Sequence, residues 1–326
     1  NLNSNRVILI GAVGHCDVND FSGEIALAAH SSPRVILVDA DCPDSEWEFE
    51  FRRGVAEIMR VARVSGPGDI CISSAGFSEL TLHQIVASLR IVPRAIQLLP
   101  DVATQQPLKL PARTIGRIHA VELQRAPLNA PQRFLKRVID LAIAIPVIFF
   151  VSPLMLAVAI AIRLDTRGPI LFRQRRLGLA GDAFEILKFR TMYVSETGRD
   201  VRQVTRNDCR VTRVGHWLRK TSLDELPQLL NVVAGDMSLV GPRPHAIAHD
   251  KFYSELIPNY EVRQHVLPGI TGWAQVNGYR GETAALELMV KRIEHDIWYA
   301  TNANLLLDLQ ILVRTFIEVC RSRNAY

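Results

Sequence analysis

Two adjacent carboxylates, Asp224 and Glu225, are the side chains whose types and spacing point most directly to chemistry. An apolar segment follows them, and Arg243 then stands between two prolines in the stretch GPRP at 241–244. A fixed guanidinium beside a carboxylate pair suits phosphate, because the cation binds phosphate oxygens while a carboxylate attacks or holds a metal ion. The pattern therefore predicts chemistry on a phosphate group.

A purely structural interpretation of the same residues stays open. Ser222 and Glu225 fit a helix capping box, and acidic residues are common in a first helical turn because they complement the helix dipole. Pro227 favours a later helix start, because proline disfavours helical geometry in the residue before it. Asp224 and Glu225 would then lie in an ordered turn ahead of the helix, where free N–H groups also attract phosphate.

An apolar stretch at 141–162 is the element that could hold this chemistry at a membrane, because it contains 22 residues without a charge. Its length is sufficient for a transmembrane helix. A helix–break–helix hairpin that re-enters one membrane face is favoured instead, because Pro146, Ser152 and Pro153 interrupt the stretch and both flanks are basic. The basic flanking residues are Arg133, Lys136 and Arg137 before the stretch, and Arg163, Arg167, Arg173, Arg175 and Arg176 after it.

Five motifs in a fixed order give the sequence a family resemblance. The segment SLDELPQLLNVVAGDMSLVGPRP (222–244) closely resembles the signature of the bacterial polyprenyl-phosphate sugar-phosphate transferases, the monotopic phosphoglycosyl transferases. The other motifs are KRxxD at 136–140, GPILFRQRRLG at 168–178, FEILKFRTM at 184–192 and LPGITGWAQVNG at 267–278. The resemblance covers residues 132–326, and Ala303 stands where many members have tryptophan.

The resemblance implies an enzyme that transfers a sugar 1-phosphate from a nucleotide sugar, UDP-glucose or UDP-galactose, to undecaprenyl phosphate. UMP would be released, and synthesis of an exopolysaccharide or another surface polysaccharide would begin. Asp224 is the implied nucleophile of an aspartyl phosphosugar intermediate and Glu225 its support, with Mg²⁺ expected on both carboxylates. Further implied roles are phosphate binding by Lys188, Arg190, Arg243, Lys136 and Arg137, and membership of the membrane hairpin for Asp140, Ser152 and Pro153.

The implied location is the cytoplasmic face of the bacterial inner membrane, where the polyprenyl phosphate is the membrane partner. Long members of the family carry transmembrane helices and a further domain ahead of the catalytic one. We expect this sequence to lack those transmembrane helices through truncation. A homo-oligomer stays open.

Residues 1–131 predict a separate domain. Apolar strands near 6–14, 34–41, 69–73 and 95–99 alternate with helical segments, which is the pattern of a parallel α/β sheet. The helical segments are predicted at 22–30, 55–64 and 80–90. We therefore expect a Rossmann-like accessory domain, followed at 100–133 by a proline-rich linker or an irregular domain edge.

A dinucleotide cofactor is not expected in this domain. Gly11 ends the first strand, as in dinucleotide-binding folds, but Val13 and Cys16 stand where their fingerprint needs glycine. Two rival functions stay open. One is a membrane-anchored NAD(P)-dependent oxidoreductase with Asp39 at a ribose, and the other is an inactive scaffold of polysaccharide assembly, against which the retention of both carboxylates argues.

Composition and charge indicate which classes of protein this chain can belong to. The hydrophobic share of 48% is high for a purely soluble protein, and residues 132–326 carry 26 Lys/Arg against 19 Asp/Glu, whereas residues 1–131 carry 12 against 14. A basic half that contains the apolar stretch suits anionic lipids and anionic substrates. No nucleic-acid-binding module is recognised, and five scattered cysteines favour neither a disulfide framework nor a zinc site. Residues 132–326 are expected to form a mixed α/β, helix-rich catalytic domain with a strand at 182–189 and helices at 282–299 and 305–319.

Overall fold

The chain divides into two units, Asn1–Asn129 and Ala130–Tyr326. A computed structural model describes residues 7–12, 34–38, 69–100, 112–115, 118–124, 126–193, 208–279 and 286–321, together with nine single residues between 22 and 61. The α/β class predicted from the sequence is confirmed, because the first unit contains a parallel-rich sheet and the second is rich in helices.

The first unit is built on a six-stranded sheet in the order β2-β1-β3-β4-β6-β5. Strands β1 to β4 pair in parallel, and apolar side chains such as Ile10, Ile72 and Ile85 form the buried core beside them. These four strands confirm the strands predicted from alternating apolar segments. The elements are β1 (Ile8–Ala12), β2 (Arg34–Val38), β3 (Ile70–Ser73), helix α1 (Glu79–Leu89) and β4 (Ile96–Leu99).

The predicted proline-rich linker at 100–133 is wrong over part of its length. Strands β5 (Ala112–Ile115) and β6 (Ile118–Gln124) lie within it, and they extend the sheet by antiparallel pairing. The linker was predicted because the stretch is rich in proline, whereas the alternation of apolar residues that indicates a strand is weak here. In the structure that alternation places Val121 in the buried interior of the sheet.

The dinucleotide fingerprint can be followed only in part. Gly11 lies within the buried strand β1, whereas Val13, Cys16 and Asp39 lie outside the described residues. The expected absence of a cofactor in this unit therefore stays a prediction.

The second unit combines one long helix, two small sheets and a set of shorter helices. Strands β7 and β8 form an antiparallel hairpin, and strands β9 and β10 pair in parallel. The strand predicted at 182–189 and both C-terminal helices are confirmed. The elements are α2 (Ala130–Asp165), β7 (Leu171–Leu177), β8 (Ala183–Phe189), α3 (Arg213–Thr221), α4 (Gln228–Ala234), β9 (Ser238–Val240), α5 (Ile247–Leu256), β10 (Gly269–Thr271), α6 (Trp273–Val276), α7 (Leu286–Asn302) and α8 (Leu305–Arg321).

Helix α2 contains the apolar stretch and is helical through both of its prolines, so the predicted break does not interrupt the helix. Pro153 has no N–H, which leaves the carbonyl of Phe149 without its usual helical donor. The Ser152 hydroxyl donates to that carbonyl over 2.8 Å, as expected for serine beside proline in an apolar helix. Within the described residues α2 alone has the length and composition to cross a membrane, and 11% of its most apolar window is buried.

Candidate active site

Close backbone contacts between the ends of strands β9 and β10 fix the loop that carries Arg243. The Gly241 N–H donates to the Thr271 carbonyl over 2.9 Å, and the Gly269 N–H donates to the Pro242 carbonyl over 2.9 Å. A side chain at Gly241 would place its Cβ 2.1 Å from the Leu267 carbonyl oxygen. Glycine is therefore required here by close packing of two backbones.

A buried arginine, Arg263, holds the same loop from behind. Its guanidinium donates to the Arg243 carbonyl over 2.5 Å, and it pairs with Asp296 at 3.0 Å and Asp250 at 3.4 Å. The Tyr260 hydroxyl donates to Asp250 over 2.5 Å and completes the network. Because these groups are buried, the backbone of Arg243 has little freedom to move.

The carboxylate pair lies in a short 3₁₀ turn, Leu223–Glu225, ahead of helix α4. Ser222 precedes the turn with a φ of 57°, and its side chain makes no capping hydrogen bond. The capping-box interpretation is therefore wrong, and the ordered turn favoured by Pro227 is confirmed.

Asn231 of α4 sets the distance between this turn and strand β8. Its side-chain carbonyl accepts from the Leu187 N–H over 2.9 Å, and its amide donates to the Glu185 carbonyl over 2.7 Å. These two bonds place Lys188, the next residue of β8, opposite the acidic turn. Because the Asn231 side chain bonds to backbone atoms of β8, it fixes the strand itself rather than one of its side chains.

Glu225 is clamped between two cations. Lys188 Nζ donates to it over 2.9 Å, and the Arg243 guanidinium binds both of its oxygens. Burial alone would raise the pKa of Glu225, but Arg243 and Lys188 hold it well below its usual range. Glu225 is therefore a fixed anion that orients two phosphate-binding cations.

Asp224 differs from its neighbour in its protonation. Burial, and next the negative charge of Glu225, raise the pKa of Asp224 to about 6. Asp224 makes no hydrogen bond to any other described residue, so its oxygens stay available. A carboxylate of raised pKa next to a paired one is the division of roles expected of a nucleophile and its support.

Arg176 of β7 also belongs to this site, although the sequence did not single it out for a role there. It donates to the Pro244 carbonyl over 3.3 Å, and burial together with the nearby Arg243 lowers its pKa to about 10. Its buried Nε atom has no hydrogen-bond partner. The motif at 168–178 contained the signal, but the three arginines within it could not be ranked without the strand's register.

The KRxxD motif anchors helix α2 to the catalytic unit. Lys136 Nζ lies 2.6 Å from Asp308 and 3.1 Å from the Val240 carbonyl, while Asp140 accepts from the Leu239 N–H over 3.1 Å. Arg137 donates to the Val233 carbonyl over 2.8 Å at the end of α4. These contacts anchor α2 to the unit, and the expected role of Lys136 and Arg137 in binding the lipid phosphate stays a prediction.

Arg190 makes its hydrogen bonds to Thr166 and Arg167 rather than to the carboxylates. It is buried, and its guanidinium donates to the Arg167 carbonyl over 2.7 Å and to the Thr166 carbonyl over 2.8 Å. These bonds hold the chain where it leaves α2. The expected contribution of Arg190 to phosphate binding is therefore not supported by its contacts, whereas Lys188 and Arg243 do meet at Glu225.

A cleft of about 620 Å³ opens beside Glu225. Most of its lining is apolar, and the hydrophobic helix α2 contributes Val147 to it. Gln275, Thr315 and Glu318 give the cleft a polar part. Glu225, the chain neighbour of Asp224, therefore borders a space that is walled in part by the apolar helix α2 and that also contains hydrogen-bonding groups.

A Mg²⁺ ion at this site would need carboxylate oxygens from the acidic side chains. No cluster of three or more His, Cys, Asp or Glu side chains that could hold a metal occurs within the described parts of the chain. Mg²⁺ is commonly held by one or two carboxylates plus substrate phosphates, and Asp224 has oxygens available for this. Glu225 already accepts three donors, so it can offer less.

Comparison with known proteins supports the same chemistry. The family model described as bacterial sugar transferase matches residues 131–322. A UDP-glucose:undecaprenyl-phosphate glucose-1-phosphate transferase of Escherichia coli (strain K12) is 43% identical over 75% of this chain and 53% of its own length. Its namesake in Klebsiella pneumoniae is 40% identical over 86% of this chain and 60% of its own length.

A third relative of the same name, from Caulobacter vibrioides, is 54% identical over 59% of this chain and 72% of its own length. The chain thus spans 53% to 60% of the first two relatives. The family match includes the acidic turn, the Arg243 loop and helix α2. The chain therefore belongs to the bacterial sugar transferase family.

Proposed function

We propose that this protein transfers a hexose 1-phosphate from a UDP-sugar to undecaprenyl phosphate and releases UMP, which begins a surface polysaccharide. The main support is the pairing of Asp224, whose pKa is raised to about 6, with a Glu225 held by Lys188 and Arg243. The curated relatives are named for transfer of glucose 1-phosphate, so UDP-glucose is the first donor to test and UDP-galactose the second.

The reaction proceeds in two displacements at one phosphorus atom. An oxygen of Asp224 attacks the sugar-proximal phosphorus, the bond from that phosphorus to the UMP oxygen breaks, and UMP leaves with the electron pair. The lipid phosphate then attacks the same phosphorus and breaks the bond to Asp224. The carboxylate is regenerated, and the product is a polyprenyl diphosphate sugar.

The cations of the site counter the charge that this reaction concentrates. Arg243 and Lys188 stand beside the attacking carboxylate and bind donor phosphate oxygens, while Glu225 keeps both cations in place. Mg²⁺, held by Asp224 and Glu225 together with substrate phosphates, would supply further charge neutralisation when bound.

Helix α2 is proposed to enter and leave the membrane on the same, cytoplasmic, face of the inner membrane. Lys136 near its start and Asp165 at its end both bond to the same unit, the latter by accepting from the Val214 N–H over 3.3 Å. A spanning helix would separate these ends by about 30 Å of hydrocarbon, and one folded unit would have to contact both faces. The strongly exposed Phe149 and Phe150 lie between the two ends.

Cysteine labelling tests this topology in intact and opened cells. Single cysteines near Arg133 and near Arg167 should both react only when the reagent reaches the cytoplasm. Replacing Ser152 and Pro153 by Ala and Leu should restore the regular helical hydrogen bond to the Phe149 carbonyl, favour a straight spanning helix and move one flank outward. Flanks of the unaltered protein on opposite faces would show that α2 is a simple transmembrane helix.

The reaction itself is tested by trapping the covalent intermediate. Donor alone should yield UMP in an amount equal to the enzyme, and mass spectrometry should locate the phosphosugar on Asp224. Asp224→Asn keeps the side-chain volume but removes the nucleophile, so it should yield no burst, whereas the control Glu294→Gln, on the exposed side of α7, should behave normally. An adduct on another residue would reject Asp224, and no UMP release from any UDP-hexose would favour the inactive scaffold.

A further inference from the structure

The cleft beside Glu225 contains polar groups that the proposed reaction does not yet use. Helix α6 contributes Gln275 to its lining, and helix α8 contributes Glu318. Gln275 donates its amide to the Ile270 carbonyl over 3.3 Å, but its buried carbonyl oxygen has no hydrogen-bond partner. Glu318 forms neither a hydrogen bond nor an ion pair with any other described residue. The cleft thus offers three side-chain oxygens as free acceptors.

The charges around the cleft indicate which part of a substrate it holds. Its ionisable lining groups, among the described residues, are the carboxylates of Glu225 and Glu318, whereas Lys188 and Arg243 are not part of the lining. An anionic diphosphate is therefore disfavoured inside the cleft and is attracted to the cations beyond it. A neutral group remains as the occupant.

Hydrogen bonding distinguishes between the neutral groups. An isoprenoid chain has no donor for the oxygens of Gln275 and Glu318, so burying it there would leave those oxygens unsatisfied. The uracil base presents one N–H donor between two carbonyl oxygens, which a carboxylate repels, and its ribose presents two hydroxyl donors. A hexose presents several hydroxyl donors along with C–H faces that pack on apolar residues such as Leu226 and Ile270.

Distance from the reacting atom favours the hexose as well. The sugar is joined to the attacked phosphorus through one oxygen atom, whereas the nucleoside lies beyond the leaving phosphate. Glu225 borders the cleft and is the chain neighbour of Asp224. We propose that the hexose of the donor occupies this cleft and that Glu318 and Gln275 recognise its hydroxyl groups. This inference rests on the proposed function and assigns the donor specificity of the same site.

The test compares UDP-glucose with a series of UDP-glucose analogues that each lack one hydroxyl group. For the hydroxyl that contacts Glu318, the wild-type enzyme should lose about 10- to 100-fold in kcat/KM, because a hydrogen bond to a charged group is lost. Glu318→Leu should be slower with UDP-glucose but should show no further penalty for that analogue. Gln275→Leu should cancel the penalty for a different hydroxyl and serves if the first variant does not fold, while Glu294→Leu should keep every wild-type penalty.

The outcomes separate this inference from the function on which it rests. Normal UMP release with unchanged hydroxyl penalties in both cleft variants would overturn the inference alone. Altered discrimination between uracil and another base, without a change in those penalties, would place the nucleoside in the cleft and also overturn it. Failure of the wild-type enzyme to release UMP from any UDP-hexose would refute the proposed function and this inference together.

Discussion

Acid should slow the first displacement, because Asp224 can attack phosphorus only as a carboxylate. Burial and the neighbouring Glu225 raise its pKa to about 6, from an ordinary value of 3.8. With the raised value, about 90% of Asp224 is ionised at pH 7 and about 10% at pH 5, so the rate should fall roughly tenfold. An ordinary aspartate would lose only about 6% of its rate over the same interval.

The assay is the burst of UMP released from the donor without acceptor, measured by rapid quench between pH 5 and pH 8. The acceptor is left out because a phosphate monoester has its own second pKa of about 6, which would obscure that of Asp224. Samples returned from pH 5 to pH 7 should regain the full burst, which separates protonation from unfolding.

Two variants sharpen the assignment of this pKa. Lys188→Met should move the midpoint to higher pH, because the lysine charge favours ionised Asp224. Glu294→Gln, at an exposed position of α7, should leave the midpoint unchanged. A burst rate that stays level down to pH 5 would refute the raised pKa and, with it, the distinct roles given to Asp224 and Glu225.

Three further changes test how the site is supported. Lys136→Met should destabilise the second unit by about 3–5 kcal/mol, measured by denaturant unfolding in detergent, because Asp308 is left buried without its partner. Gly241→Ala should lower the free energy of unfolding by more than the ~1 kcal/mol typical of point mutations, because its Cβ would meet a backbone oxygen at 2.1 Å. A chain that begins at Pro131 should keep the UMP burst, because the described catalytic groups lie in the second unit.

Each of these expectations has a matched outcome that would contradict it. Recovery of most of the stability is expected when Asp308→Asn is added to Lys136→Met, and an additive loss would show that the two side chains act independently. A normal unfolding midpoint for Gly241→Ala would mean that the β9–β10 junction can open. Loss of the burst in the shortened chain, or tight NAD(P) binding by residues 1–125, would give the first unit a catalytic role.

Local sequence patterns were sufficient to predict those parts of the fold that depend on neighbouring residues. The alternation in 182–189 predicted strand β8 within one residue of its observed start at Ala183. Pro227 predicted the turn that holds Asp224 and Glu225, because a proline constrains the residue next to it. The bond from Ser152 to the Phe149 carbonyl is equally local, because it compensates for the N–H that Pro153 lacks.

Contacts between distant residues could not be predicted in this way. Lys136 and Asp308 form a buried pair although 172 positions separate them, and Arg263 supports Arg243 from a segment with no motif of its own. Arg190 was grouped with Lys188 through the family resemblance, because both lie in the motif at 184–192. Strand β8 ends at Phe189, and Arg190 bonds instead to the backbone of Thr166 and Arg167.

The separation between Lys136 and Asp308 has a consequence for the order in which the protein is made. The ribosome completes the start of α2 172 residues before it reaches Asp308, an interval of roughly 10 to 30 s at ordinary rates of synthesis. During that interval the apolar helix is available to the membrane, while Lys136 still lacks Asp308, the carboxylate with which it forms a buried pair. If α2 enters the membrane as proposed, its entry can precede completion of the catalytic unit, and the later pairing of Lys136 with Asp308 of α8 then fixes the depth and orientation of a segment already inserted.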